Sequence, residues 1–350
     1  MRNPLIYIVG THSTETKGGI STVLKAFEEA FLKLGQPFER INTHNDSKGT
    51  ILYFVNAWFK LIFSSLKNIK RRRIYWLHCG PWFSMTRKFI VALTVKALGG
   101  EVIIHFHSPT LYQYTNSKFG MWALKVFLLP ANKVVVVTPW WKTLLEEKGL
   151  VKDTLVVANP LAYKLFEHAH EPAPQKRFDK NNVTLVSMAR FIEGKGLDLV
   201  IKTLPDLPNV KLKVIGDGPL KNQLVSLSEN LGVADRVEFL GWLADSNKTK
   251  ALQSADIFCL PSIYDSFGVV FIEAMSLGLP IVAFNNGPVA DIVKPHVGIT
   301  IDTHNKEHLC SAIQTMTNNI EQFDSAGKKE VIENYDPTRL TKVIIDYILK

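Results

Sequence analysis

Through the first half of the chain, short apolar runs rich in β-branched residues alternate with stretches of helical length and pattern. The runs are LIYIVG (5–10), IYWLHC (74–79), EVIIHFH (101–107), KVVVVT (133–138) and TLVVAN (154–159). Continuous apolar strands separated by amphipathic helices call for a parallel sheet covered on both faces. The stretch HAHEPAPQKRFDKNN (168–182) is polar, carries two prolines and has no apolar period, so it reads as a linker. A second alternating series follows: VTLVSMAR (183–190), KLKVIG (211–216), RVEFLG (236–241), DIFCLP (256–261) and LPIVAF (279–284). The pattern predicts an α/β chain of two doubly wound, Rossmann-like domains, 1–167 and 183–335, with the linker at 168–182. A last helix is predicted at TRLTKVIIDYIL (338–349), with Asp336 as cap and Pro337 in its first turn, and segment 336–350 is expected to pack back towards the N-terminal domain. In open parallel sheets ligands sit beyond the carboxyl ends of the strands, so chemistry is sought in the loops after these runs.

Composition narrows the class. At 350 residues, 46% hydrophobic and 21% charged, the chain is neither a small disulfide-stapled scaffold nor a disordered tail. Charge is uneven. Residues 1–165 carry 22 Lys/Arg against 9 Asp/Glu and residues 166–350 carry 19 against 23, so the halves are +13 and −4 within an overall +9. Residues 51–100 hold nine basic residues and no acidic one, which points to an anionic partner for the first half. Cys79, Cys259 and Cys310 form neither a disulfide framework nor a Cys-x-x-Cys metal pair, in keeping with a reducing cytoplasm. The start MRNPLIYIVG reads as a strand rather than a signal peptide, and ILYFVNAWF (51–59) is cut by Lys60 well short of the ~20 residues of a spanning helix. Segment 52–76 joins an aromatic-rich helical run to the cations Lys67, Lys70, Arg71, Arg72 and Arg73. Such a segment suits peripheral attachment to the anionic inner face of the cytoplasmic membrane, or, as the alternative, an ordinary helix packed on the sheet with a basic solvated end.

Two loops of the second half carry candidate chemistry. After the strand ending at Leu260, a loop presents Asp265, Ser266, Phe267 and Gly268, and a helix starts near Val269 with Glu273 on its second turn. The two carboxylates flank a helix start at roughly 10 Å, a pyrophosphate-sized gap, and free amides at a helix start bind phosphate. Asp265 as a cap and Glu273 on a solvated face is the plain structural alternative. In SMARFIEGKGLDLVI (187–201), Arg190 ends a strand and Lys195 stands between Gly194 and Gly196 before a helix, placing two cations where a diphosphate leaving group needs them. In the first half, Gly18-Gly19 opens the first helix and would let a phosphate approach the backbone, although neither a Gly-x-Gly-x-x-Gly nor a Gly-Lys-Ser/Thr motif is present. His105 and His107 share one strand face at its carboxyl end, with His78 a weaker candidate. His107 is the expected active-site group, and a metal pair is disfavoured because no third ligand is evident.

SMARFIEGKGLDLVI, VIGDGPL (214–220), VEFLGW (237–242) and ADIFCLPSIYDSFGVVFIEAMSLGLPIVAF resemble, in order and spacing, the C-terminal domain of retaining glycosyltransferases of family 4, and Gly18-Gly19 with the His-x-His strand matches the N-terminal side. The resemblance implies the GT-B fold, two Rossmann-like domains facing across a cleft, with a nucleotide sugar on the second and an acceptor mainly on the first. It implies that Arg190 and Lys195 hold the diphosphate and that Glu273 holds the ribose hydroxyls. The loop at Gly216 and the backbone of Ser266 to Val269 line the donor site, Gly18 and Gly19 approach the phosphate, Trp242 and Leu243 receive the base, and His107 and Asp265 lie by the reacting sugar. The family usually has Glu at the position of Asp265, and its Gly-Gly and Glu appear here as Gly287-Pro288 and Asp291. Absence of an Asp-x-Asp motif agrees with a reaction needing no metal and no cofactor beyond the nucleotide sugar. The expected activity is retaining hexosyl transfer, from a UDP-hexose to a lipid-linked or oligosaccharide acceptor, in the synthesis of O-antigen, lipopolysaccharide or capsule. Competing expectations are a UDP-sugar epimerase on the same fold and a basic nucleic-acid-binding module. The latter is disfavoured because the aromatics beside the basic run are spaced for packing rather than as a stacking platform.

Overall fold

The computed structural model describes residues 4–16, 18–46, 50–172, 178–323 and 325–350, so part of the expected linker, 173–177, lies outside the described residues. The chain divides into two compact units, Met1–Ala162 with Asp336–Lys350, and Tyr163–Tyr335.

The first unit runs β1 (Leu5–Thr11), α1 (Gly19–Lys33), β2 (Phe38–His44), α2 (Thr50–Lys67), β3 (Arg73–Cys79), α3 (Trp82–Ala97), β4 (Glu101–Phe106), α4 (Leu111–Thr115), α5 (Lys118–Leu128), β5 (Lys133–Val136), α6 (Pro139–Glu147) and β6 (Leu155–Val156). Its six strands are all parallel, in the order β2-β1-β3-β4-β5-β6. Every residue of β3 is buried, as a strand with helices on both faces requires. Helix α1 turns Val23, Leu24, Phe27, Ala30 and Phe31 inward at helical spacing, and Phe27 meets Trp76 edge to face.

The second unit runs α7 (Tyr163–His170), β7 (Val183–Met188), α8 (Leu197–Thr203), β8 (Val210–Ile215), α9 (Lys221–Asn230), β9 (Val237–Gly241), α10 (Asp245–Gln253), β10 (Ile257–Leu260), α11 (Val269–Ser276), β11 (Ile281–Phe284), β12 (Gly298–Ile301), α12 (Lys306–Asn318) and α13 (Ala326–Asn334). The order here is β12-β11-β10-β7-β8-β9, again all parallel. The final helix α14 (Pro337–Leu349) belongs to the first unit and packs on α1. Asp336 caps it by accepting from the amides of Thr338 and Arg339.

Three features differ from the sequence expectation. The edge strands β2 and β12 are additions to the runs read from hydropathy. TLVVAN contributes only the two-residue β6. The division falls between Ala162 and Tyr163 rather than after 167, because α7 packs on α11 and α13 and the Lys328 ammonium donates to the carbonyls of His168 and Glu171.

Each strand order contains one reversal. In the first unit the chain leaves β1 to one side for β2 and to the other for β3. In the second it leaves β7 to one side for β8 and β9, then crosses back to β10. The loops after β1 and β3, and those after β7 and β10, therefore diverge and open a crevice at each sheet's carboxyl edge.

Candidate active site

At the reversal of the second sheet, the loop after β7 meets the loop after β10. Lys195 Nζ lies 2.9 Å from Asp265 Oδ1 and donates to the Tyr264 carbonyl at 2.9 Å, and both side chains of the ion pair are only 16% exposed. Gly196 makes the approach possible. It caps α8 with φ 73°, and a Cβ there would stand 2.5 Å from the Pro261 carbonyl oxygen. Asp265 Oδ2 is buried and, among the described residues, has no hydrogen-bond partner. Unlike a simple helix cap, this carboxylate is held by a cation from a second loop and leaves one buried oxygen unpartnered among the described residues. Helix α11 begins directly after the loop, with Gly268 at φ 81° as its N-cap and no side-chain cap; the Phe271 amide donates to the Gly268 carbonyl at 2.9 Å, and the amides of Val269 and Val270 before it are bonded by no capping side chain.

Glu273 is 4% exposed and bonded to Lys248 Nζ of α10 at 2.8 Å, so it is not on a solvated face. Arg190 is exposed just beyond β7. The loop after β8 is pressed against it: a Cβ at Gly216, where φ is 137°, would lie 1.9 Å from the Ala189 carbonyl, and the Gly216 amide donates to Gly241 at 2.8 Å. Trp242 (42% exposed) and Leu243 follow at the end of β9. The carboxyl ends of β7, β8, β9 and β10 thus bring Arg190, Lys195, Gly216, Trp242, Leu243, Asp265 and the start of α11 to one edge of one sheet. Phe267 contributes backbone alone, since its ring is buried edge-on against Tyr335.

Sequence reasoning missed Lys248, which sits in a polar helix without a motif. It also missed Tyr264, whose ring lies over Gly194, and in the loop after β11, where the sequence pointed to Gly287-Pro288 and Asp291, it missed Asn286, which donates to the Ser262 carbonyl at 3.3 Å. His304 adds a ring N–H to the Pro261 carbonyl at 2.8 Å. The bonds from Asn286 and His304 fasten the start of the loop that carries Asp265.

In the first unit, Gly18 (φ 134°) and Gly19 open α1 at the carboxyl end of β1. His78 and His105 are register partners on β3 and β4, and His107 follows on the same face. The fold thereby brings His78, the weaker candidate of the sequence, beside the other two as a third imidazole. The ring nitrogens of His78, His105 and His107 come within 4.8 Å of one another in a fully buried cluster. His78 Nδ1 and His107 Nε2 are 2.9 Å apart, and the ring centroids are 5.1 Å apart at 16°, the geometry of an in-plane N–H···N bond. Burial pushes His78 and His105 far below the usual histidine range and His107 down to about 3, so all three are neutral at pH 7.

The basic segment divides. Lys67 and Lys70 are exposed, and Arg71 is half-buried. Arg73 corrects the sequence expectation: it is 5% exposed on β3 and spends its guanidinium on the carbonyls of Ser65 and Leu98, so it reaches no surface. Arg72 forms a bidentate pair with Glu101 and donates to the Leu349 carbonyl at 2.6 Å, tying α14 to the sheet. Helix α2 instead exposes Leu52, Phe59, Phe63 and Leu66 along one stripe, with Lys60 and Lys67 beside it. Among the described residues no helix is long and apolar enough to cross a membrane.

The sequence profile of the glycosyl transferases group 1 matches residues 170–344. Over 221 residues the chain is 27% identical to the lipopolysaccharide core biosynthesis glycosyltransferase LpsD of Rhizobium meliloti, covering 61% of this chain and 62% of that protein. In several such curated relatives the matched region spans 43–62% of their length. Crystal structures extend the likeness over the whole chain. Anabaena HepE in complex with UDP superimposes with a TM-score of 0.74 at 17% identity, over 98% of this chain and 99% of that one. Sucrose-phosphate synthase of Thermosynechococcus elongatus gives 0.79 at 18%, over 99% and 98%. At that identity the shared property is the fold, which is that of the GT-B glycosyltransferases.

Proposed function

Because the chain belongs to the group 1 glycosyl transferases, we propose that its second unit binds a UDP-hexose and that the enzyme transfers the hexosyl unit, with retention, to a lipid-linked or saccharide acceptor in surface polysaccharide synthesis. The observation that carries this reading is the Lys195–Asp265 pair, with its orphaned Oδ2, at the sheet reversal beside the uncapped start of α11. The UDP in the HepE structure and the lipopolysaccharide named for LpsD support the choice of donor and acceptor class. Neither the family nor these relatives support the epimerase reading.

Departure of UDP leaves positive charge at the anomeric carbon and negative charge on the diphosphate. Lys195, the solvent-facing Arg190 and the α11 amides stabilise the second charge in place, and the reading asks for no metal. Glu273 accepts from the ribose hydroxyls, Asp265 Oδ2 accepts from a sugar hydroxyl, and Trp242 with Leu243 receives the uracil. His107, neutral and held by His78, offers a fixed polar edge to the sugar rather than a proton. The apolar stripe of α2, with Lys60, Lys67 and Lys70, holds the first unit to an anionic membrane where a lipid-linked acceptor resides.

Screening UDP-, GDP- and ADP-hexoses for slow hydrolysis and for thermal stabilisation of the protein tests the reading. A UDP-hexose is expected to be hydrolysed and to raise Tm, whereas stabilisation by none of the three would remove it.

A further inference from the structure

A second set of cations, outside the donor site, gathers at the carboxyl edge of the first sheet. Lys88 of α3 is 1% exposed, yet its ammonium meets only hydroxyls: Thr43 Oγ1 at 2.6 Å and Ser84 Oγ at 3.4 Å. Both hydroxyls are themselves fixed, Thr43 donating to the Gly10 carbonyl at 3.0 Å and Ser84 accepting from the Gly80 amide at 3.1 Å. These contacts place the Lys88 ammonium where β1, β2 and β3 end, beside the reversal of the first sheet. No carboxylate of the described residues lies within ion-pair distance of Lys88 or of its neighbour Arg87, whose Nε is buried without a partner. Across from them, His44 is held by Asp46 at 3.2 Å through one ring nitrogen, while the other, Nδ1, is buried and unpartnered.

A buried ammonium solvated by two hydroxyls is far from compensated, and a like charge next to it raises the cost further. The electrostatics agree with the geometry. Burial, followed by the repulsion of Arg87 and Arg40, pulls Lys88 down to about 7, and burial with Arg87 lowers His44. Other partly buried lysines in this chain are treated otherwise: Lys195 and Lys248 face carboxylates, and Lys328 faces backbone carbonyls.

We propose that Arg87, Lys88 and His44, with the hydroxyls of Thr43 and Ser84, form an anion site for a phosphate or diphosphate group of the acceptor. Two uncompensated cations and two hydroxyls at one sheet edge match a tetrahedral dianion better than a singly charged carboxylate. The assignment to the acceptor rests on the proposed transferase reading; the anion site itself does not. It gives the excess positive charge of the first half a role distinct from membrane attachment.

The test is calorimetric titration of inorganic pyrophosphate into the full chain saturated with UDP, so that the donor site is already filled. Wild type is expected to bind pyrophosphate with one-to-one stoichiometry. Arg87→Gln is expected to weaken that binding about tenfold or more, and Lys88→Met likewise, while Lys152→Gln, an equal loss of charge at an exposed position before β6, leaves it unchanged. UDP affinity and Tm of Arg87→Gln should match wild type, showing that the fold and donor site are intact. Vesicles of phosphatidylcholine containing phosphatidic acid then locate the anion's source: competition with pyrophosphate assigns a lipid-borne phosphate, and its absence a soluble one. Lack of pyrophosphate binding by wild type, or equal binding by Arg87→Gln and wild type, overturns the inference. Failure of wild type to bind UDP sinks the donor reading instead, and the same titration without UDP still reads the Arg87 site.

Discussion

Glu273 offers the sharpest separation of a binding role from a structural one. Its carboxylate is 4% exposed and touches Lys248 at 2.8 Å, so Glu273→Ala removes half of a nearly buried pair. Breaking a fully buried pair from one side costs about 3–5 kcal/mol. Lys248, however, keeps 19% of its side chain in solvent, so its ammonium can turn outward and the cost falls to about 1–2 kcal/mol. In a unit of this size that lowers Tm by about 3–8 °C. If the carboxylate also accepts two ribose hydroxyls, each charge-assisted bond adds about 1.5 kcal/mol or more, and UDP should bind about 100-fold more weakly. Lys248→Met is the counterpart: it breaks the same pair and lowers Tm, but leaves the carboxylate for the ribose, so UDP affinity should stay within about threefold. Isothermal titration with UDP and thermal unfolding of both variants provide the readings. Should Glu273→Ala bind UDP as tightly as wild type while its Tm falls, the ribose role is refuted and the pair is purely structural.

Lys195→Ala is expected to slow hydrolysis of the UDP-hexose about 100-fold, with a smaller loss of UDP affinity, because its cation is aimed at charge that develops as the diphosphate departs; turnover equal to wild type would contradict this. Lys88 links stability to pH. Folded, it releases its proton near 7, against 10.5 ordinarily, so between those values the unfolded chain holds more protons and stability rises with pH. Lys88→Met should abolish that rise and increase Tm at pH 7, as judged by unfolding curves across pH 6–10. Replacing Phe63 and Leu66, both exposed on α2, by Ser should reduce co-sedimentation with anionic vesicles several-fold without changing Tm; unchanged sedimentation would dismiss α2 as the membrane contact.

Legibility in the sequence tracked how local each signal is. The runs at β1, β3, β4, β7 and β10 were plain because a strand buried on both faces is largely apolar, whereas β8 (VKLKVI) was plain from its alternation of apolar residues with lysines. FERINTH (β2) and GITI (β12) were missed because they are edge strands, paired on one side only, and GITI is four residues long. Arg73 was grouped with a surface cluster because neighbouring arginines look alike in sequence; only its strand position, which points the side chain at the Ser65 and Leu98 carbonyls, buries it. His105 and His107 were visible as a two-residue spacing, whereas His78 joined them through the β3–β4 register, which is set 27 residues away in the chain.

From its amino acids alone this protein is a pair of parallel α/β units with candidate loops at Lys195 and Asp265, since periodicity, glycine placement and helix starts depend on neighbours within a few residues. Which side chains neutralise one another was decided by packing: Lys195 with Asp265, Lys248 with Glu273, and Lys88, among the described residues, with no carboxylate. Those choices join positions 25 or 70 residues apart. Burial then sets their energetics, because a charge removed from water must find its partner across the fold or wait for a ligand.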